Sequence, residues 1–137
     1  MKLLDTSVLV DVDRGGIDRK VARLDGEGRH AISAVTATEL RLGVNMQYEE
    51  GTKPYLDALG DLDRLLARFE IVPVSRPVEI AAADIIATLT ERGKSLDDLH
   101  DVYIAATARA EQLPVLTANV SHFERIDDVT VSDWNTY

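Results

Sequence analysis

The chain has 137 residues, of which 45% are hydrophobic, and carries a formal net charge of -9 at pH 7. This size suits one domain spanning residues 1–137, and no long apolar run predicts a membrane span or secretion signal, so we expect a cytoplasmic protein. The charge argues against a broad basic surface for long nucleic acids. Without cysteine, a metal must bind oxygen or histidine, and the spread of His30, His100 and His122 along the chain favours oxygen.

Short apolar runs alternate along the chain with segments whose apolar side chains recur at helical spacing. The predicted elements, in chain order, are strand 2–4, helix 6–13, strand 30–33, a helix from about 35 to 48, helix 55–69, strand 71–74, helix 78–89, helix 99–113, strand 115–117, a short segment around 122–123 and strand 129–131. Strands joined by helices predict an α/β fold with a mostly parallel sheet between two helical layers. Such sheets carry their sites at the carboxyl ends of the strands.

Two acidic residues lie where this architecture predicts a functional site, but each also has an ordinary structural explanation as part of a helix cap. Asp5 follows the first strand, and an aspartate between strand and helix is a common N-cap. Glu39 ends the run Thr36-Ala37-Thr38-Glu39, which matches the capping box at a helix start. Taken singly, neither carboxylate indicates a catalytic site.

Asp101 is harder to explain as a cap, because it precedes the apolar stretch Val102–Ala106 and follows the cap that Ser95-Leu96-Asp97-Asp98 predicts. A lone charge at such a position is costly without a partner. Asp97 and Asp98 lie four and three residues earlier, so either can share a helical face with Asp101. Crowded carboxylates repel one another unless a cation binds between them, and magnesium or manganese prefers such oxygen ligands.

Another polar segment, Thr117-Ala118-Asn119, follows the predicted strand 115–117. Its hydroxyl and amide can orient a ligand or a water molecule at the sheet edge. A polar turn whose side chains bond their own backbone explains the same residues equally well.

Four segments together resemble the PIN-domain ribonucleases, and most of all the VapC-type toxins of toxin–antitoxin pairs. The segments, in the order in which that family has them, are residues 4–10 (LDTSVLV), 32–43 (ISAVTATELRLG), 101–108 (DVYIAATA) and 116–123 (LTANVSHF). Each segment is weak evidence alone, but the four span nearly the whole chain in one order. The resemblance implies a PIN-like three-layer α/β/α fold.

The resemblance also implies roles for particular residues. Asp5, Glu39 and Asp101 match the three acidic positions that assemble a magnesium or manganese site. Asn119 stands where many PIN domains have a fourth acid, and Asp98, one helical turn before Asp101, is expected to compensate as a metal ligand beside Asp5 and Asp101. Small polar residues match positions that orient carboxylates or contact the substrate phosphate. These are Thr6, Ser7, Thr117 and Asn119.

The implied activity is metal-dependent hydrolysis of RNA, and the implied partners are a small VapB-like antitoxin that covers the acidic groove and a second copy of the chain. The apolar stripe from Tyr55 to Phe69 is a candidate dimer contact, although a core face explains its spacing better.

Two alternative functions remain open from the sequence. One is a PIN-fold interaction module without catalysis, and the other is a phosphatase with Asp5 as nucleophile, which lacks the second aspartate expected at position 7.

Overall fold

The computed structural model describes residues 1–94 and 98–137. In chain order, the strands and helices are β1 Leu3–Leu4, α1 Thr6–Arg14, α2 Asp18–Gly26, β2 Ala31–Ser33, α3 Ala34–Gln47, α4 Lys53–Leu66, β3 Glu70–Val72, α5 Arg76–Glu91, α6 Leu99–Glu111, β4 Val115–Thr117, α7 Val120–Glu124 and β5 Val131–Asp133, followed by a 3-10 helix, Trp134–Thr136. No helix in these ranges is long and apolar enough to cross a membrane.

The five strands form one parallel sheet in the order β3-β2-β1-β4-β5. The chain winds outward from β1 through β2 to β3 and then returns to the other side of β1 for β4 and β5. The direction of winding therefore reverses between β1 and β4. Open parallel sheets bind ligands beside the carboxyl ends of the strands at such a reversal, so the topology alone indicates where a site should lie.

Adjacent residues of each strand face opposite sides of the sheet, which creates two apolar layers. Leu3 and Val115 pack with α5, α6 and α7 in one core, whereas Leu4, Ile32 and Leu116 pack with α1, α2 and Trp134 in the other. All these strand residues are fully buried. The predicted three-layer α/β/α fold with a parallel sheet is confirmed.

Two predicted strands are displaced in the structure. β3 begins one residue earlier than predicted and ends before Pro73, because proline has no N–H to donate to a neighbouring strand. β5 begins two residues later than predicted, at Val131, because Asp128 adopts a left-handed conformation with φ 61° and turns the chain first. Thr130 then accepts a hydrogen bond from the backbone N–H of Val115 at 2.8 Å.

Helix α2 was missing from the predicted elements, because its nine residues are mostly polar and bury only Leu24. Its basic residues do not line the candidate site. Lys20 donates to the carbonyl of Trp134 and Arg23 to that of Tyr137, so both hold the last residues of the fold in place.

The stripe on α4 belongs to the core. Tyr55, Leu62 and Phe69 are buried, and Leu59 and Leu66 are half-buried. Leu56, between them, is 59% exposed, so the helix has one inner and one outer face. The core interpretation of the stripe is confirmed, and it is not a free dimer surface.

Replacement of Leu116 by alanine tests the packing of the central sheet. Because Leu116 is fully buried, Leu116→Ala should lower the free energy of unfolding by about 2–5 kcal/mol. Leu56→Ala, at an exposed position, should change it by less than about 0.5 kcal/mol. Urea unfolding followed by circular dichroism measures both, and equal effects would contradict the assignment of the core.

Candidate functional site

A pocket of about 350 Å³ opens at the carboxyl edge of the sheet, where the winding reverses. Its lining is dominated by acidic and small polar side chains from α1, α3, α6 and the segment after β4. The lining residues are Asp5, Thr6, Ser7, Val10, Asp11, Glu39, Asp98, Asp101, Ala118, Asn119 and His122. Except for Thr117, which lies behind the surface, every predicted site residue reaches this pocket.

Asp5 sits in the N-cap position of α1, but its side chain makes no capping hydrogen bond. Its Oδ2 instead accepts hydrogen bonds from the hydroxyls of Ser7 and Thr117, each at 2.8 Å. These hydroxyls accept in turn from backbone N–H groups, Ser7 from Ala118 at 3.1 Å and Thr117 from Asn119 at 2.9 Å. The explanation of Asp5 as an ordinary cap is therefore wrong, and the fully buried Thr117 orients Asp5 from behind.

Glu39 does not close a capping box, because α3 begins earlier than that motif requires. Ser33 is the N-cap, and its hydroxyl accepts from the N–H of Val35. The Oε1 of Glu39 lies 3.0 Å from the hydroxyl of Thr6, which lies 3.1 Å from the hydroxyl of the buried Thr36. Since the Thr6 hydroxyl has one proton, it donates to Glu39 and accepts from Thr36.

Asp101 lies in the first turn of α6 and is only 6% exposed. Its Oδ2 lies 2.7 Å from Nδ1 of His122. Asp98 is the N-cap of the same helix, with Oδ1 accepting from the N–H groups of His100 and Asp101. The sequence predicted a cap over Ser95-Leu96-Asp97-Asp98, of which Ser95, Leu96 and Asp97 lie outside the described residues, and the structure has Asp98 itself as the N-cap.

The site is electrostatically unfavourable for the folded protein. Burial raises the pKa of Glu39 above its ordinary value, and the charges of Asp98 and Asp5 raise it further, against the opposing hydrogen bond from Thr6. Burial likewise raises the pKa of Asp101, again with Asp98 and Asp5 adding to the effect and His122 opposing it. Both carboxylates are thus charged at a cost that a bound cation would relieve.

Two histidines and one acid at this site were not identified from the sequence. His100 and His122 lie 22 residues apart in the sequence, yet Nδ1 of His100 lies 3.6 Å from both Glu39 and Asp98, and His122 contacts Asp101. Asp11 also lines the pocket, and its Oδ2 accepts from the indole N–H of Trp134 at 3.0 Å. The only sequence signal for Asp11 is its position one helical turn after Ser7.

The donor chemistry of the pocket fits magnesium or manganese, because these cations prefer oxygen ligands and magnesium is usually bound by one or two carboxylates together with water and substrate phosphates. One oxygen of each main acid is held by a neighbour: Asp5 by Ser7 and Thr117, Glu39 by Thr6, and Asp101 by His122. Within residues 1–94 and 98–137, however, no three acidic or histidine side chains form a ready-made metal cluster. The oxygen ligands present therefore fit magnesium or manganese in chemistry.

The family model for the PIN domain matches residues 2–129, and the chain belongs to the PIN-domain family. It is similar to ribonuclease VapC1 of Methanocaldococcus jannaschii, with 36% identity over 126 residues that cover 92% of this chain and 81% of the relative. It is also similar to toxin FitB of Neisseria gonorrhoeae, with 33% identity over 139 residues, 98% of this chain and 99% of FitB.

Solved structures of related proteins have the same fold as this chain. The crystal structure of FitAcB from Neisseria gonorrhoeae matches with a TM-score of 0.81 and 34% identity, over 97% of each chain. The crystal structure of DNA-bound VapBC from Salmonella typhimurium matches with a TM-score of 0.84 and 26% identity, over 98% of this chain and 99% of that one. The resemblance to VapC-type proteins therefore extends over the whole fold.

Replacement of Glu39 by glutamine tests the electrostatic cost of the site. The pKa of Glu39 is raised above 4.5 in the folded protein, so between the unfolded and folded pKa values the folded state binds more protons and its stability falls as pH rises. Glu39→Gln removes this loss while its amide oxygen can still accept from Thr6. In chelator at pH 7 it should therefore unfold at a higher temperature than the parent.

Below about pH 4, Glu39 is protonated in both the folded and the unfolded protein. The difference in unfolding temperature between Glu39→Gln and the parent should therefore vanish. Glu50→Gln, at an exposed turn, is the matched control and should change little at either pH. A Glu39→Gln variant that is no more stable than the parent at pH 7 would contradict the proposed electrostatic cost.

Proposed function

We propose that this chain is a magnesium- or manganese-dependent endoribonuclease that acts as the toxin of a VapBC-type pair. The observation that carries the proposal is the convergence of Asp5, Glu39 and Asp101 in one pocket at the carboxyl edge of the sheet. The names of the relatives support the class of reaction, because M. jannaschii VapC1 is a ribonuclease and the related Salmonella VapC is a tRNA(fMet)-specific endonuclease.

Asp5, Asp101 and Asp98 would hold the cation, with Glu39 beside them to bind it through water or to accept a proton. When bound, a divalent cation makes water a better nucleophile at neutral pH and offsets the negative charge that develops on the phosphate. The protein contributes orientation, since Ser7 and Thr117 fix Asp5 and Thr6 fixes Glu39. Groups held in this way need little rearrangement during the reaction.

The acidic pocket also determines how RNA can bind. Asp5, Asp11, Glu39, Asp98 and Asp101 all line it, and their charges repel a phosphodiester until a cation is present. Asn119, on the pocket wall, is neutral and can donate a hydrogen bond to a phosphate oxygen through its amide. Thr6 and Ser7 reach the same surface, although their protons are directed to carboxylates. Productive RNA binding should therefore depend on the metal.

The expected partners follow from the same charges. A basic side chain of a small VapB-like antitoxin would be attracted into the acidic pocket and would exclude both cation and RNA. The matched structure of VapBC-5 from Mycobacterium tuberculosis, 26% identical over 96% of this chain, is named as a member of the VapBC family of toxin–antitoxin systems. We further expect a homodimer, with its contact outside the buried stripe of α4.

An interaction module without catalysis is the competing function. Such a module has no need to bring three acids into one pocket and to hold each by a separate donor, which is costly for folding. No feature of the described residues favours the module. The phosphatase alternative is also disfavoured, because Ser7 stands where its motif requires a second aspartate, and the Ser7 hydroxyl donates to Asp5 at 2.8 Å.

The activity is tested with Asp5→Asn and Asp101→Asn. Each asparagine keeps an oxygen that can accept the existing hydrogen bonds, so the variants should fold. Removing a residue that hydrogen-bonds to a metal ligand typically lowers metal affinity or activity by about 10–100-fold. Removing a metal ligand itself should therefore slow cleavage by more than roughly 100-fold. Cleavage of an end-labelled structured RNA is followed with magnesium, with manganese and with chelator, at equal protein concentrations.

Asp84→Asn, at an exposed position on α5, is the control and should cleave at the parental rate. Manganese should also raise the unfolding temperature of the parent but not that of Asp5→Asn. A parent protein that cleaves RNA equally well in chelator would rule out the metal-dependent mechanism. A folded parent that neither cleaves RNA nor is stabilised by manganese would favour the interaction module.

A further inference from the structure

The contact between His122 and Asp101 joins a half-exposed side chain to a buried one. His122 has 51% of its side chain exposed and Asp101 has 9%, and Nδ1 lies 2.7 Å from Oδ2. An ionised carboxylate can only accept a hydrogen bond, so Nδ1 carries the proton and donates it. A donor of this kind to a charged acceptor forms one of the stronger hydrogen bonds of a protein.

The backbone of His122 is firmly placed. Its N–H donates to the carbonyl of Asn119 at 3.1 Å, and its own carbonyl accepts from Nε of Arg125 at 3.0 Å. The next residue, Phe123, is fully buried in the core that also contains Val102 of α6. The short helix α7 is thereby packed against α6, and the imidazole is held at a fixed distance from Asp101.

Each of the three main acids accepts a hydrogen bond on one carboxylate oxygen from the side chain of another residue. Asp5 is held by hydroxyls from α1 and β4, and Glu39 by a hydroxyl from α1. Asp101 has no such hydroxyl among its hydrogen bonds in the described residues, and His122 takes that place. With Oδ2 bound to the imidazole, Oδ1 is the oxygen that Asp101 can offer to the pocket.

We propose that His122 is a positioning residue that orients Asp101 for cation binding, by holding Oδ2 and turning Oδ1 toward the pocket. The inference rests on the proposed metal-dependent function and concerns a residue that the acidic pattern of the sequence does not include. Histidines and carboxylates that orient metal ligands from behind commonly change metal affinity by about 10–100-fold when they are removed.

The test compares three variants. His122→Leu removes the donor at similar volume, and His122→Asn keeps an N–H near the position of Nδ1. Glu124→Gln, exposed on the same helix, is the matched control. Manganese affinity of the RNA-free protein is measured by calorimetry or by the electron paramagnetic resonance signal of free manganese, together with the unfolding temperature in chelator.

His122→Leu should bind manganese about 10–100-fold more weakly, while His122→Asn recovers most of the affinity and Glu124→Gln equals the parent. In chelator, His122→Leu should unfold at a somewhat lower temperature than the parent, because the buried carboxylate of Asp101 loses its donor, but it should remain folded at the temperature of the titration. In RNA cleavage, the manganese concentration for half-maximal rate should rise in His122→Leu, whereas the rate at saturating manganese should change much less.

Parental manganese affinity in His122→Leu would overturn the positioning role. Equal losses in His122→Leu and His122→Asn would also overturn it, because the imidazole itself would then be required at the cation. Asp101→Asn in the same titration separates this inference from the proposed function. If Asp101→Asn binds manganese as the parent does, the proposed metal site itself is wrong; if it does not, a negative result with His122→Leu concerns the positioning role alone.

Discussion

The hydrogen bonds to Oδ2 of Asp5 are the interaction on which the site depends. They join the residue that follows β1 to the end of β4, two strands that are adjacent in space and more than 100 residues apart in sequence. Thr117 and Ser7 each pass a hydrogen bond from a backbone N–H to the carboxylate. The carboxylate is therefore oriented by the backbone of the sheet edge itself, which packing of both cores keeps rigid.

The same arrangement explains why charged groups can be placed in an otherwise apolar fold. Glu39 and Asp101 are buried enough for their pKa values to rise, and each has a donor that limits the cost of its charge. The proposed cation would offset the cost that remains. Active sites commonly contain groups with raised or lowered pKa values, at some cost to the stability of the fold.

Much of this fold can be predicted from the sequence, because strands of buried aliphatic residues and amphipathic helices have clear periodicities. Polar α2 has no such signal, and the ends of β3 and β5 depend on Pro73 and on the turn at Asp128. Asp5, Glu39 and Asp101 were predicted together from the joint pattern of four segments. The roles of His100, His122 and Asp11 were not predicted, since their proximity to these acids is created by the packing of α1, α6 and α7.

The two outer strands of the sheet, β3 and β5, have only three residues each. Pro73 follows the first directly, and the 3-10 helix Trp134–Thr136 follows the second. Short edges interrupted in this way present few free backbone groups to another chain and so resist strand addition. Any protein that binds this domain, including a second copy, should therefore attach through helices and side chains, and the sheet should stay at five strands in every assembly.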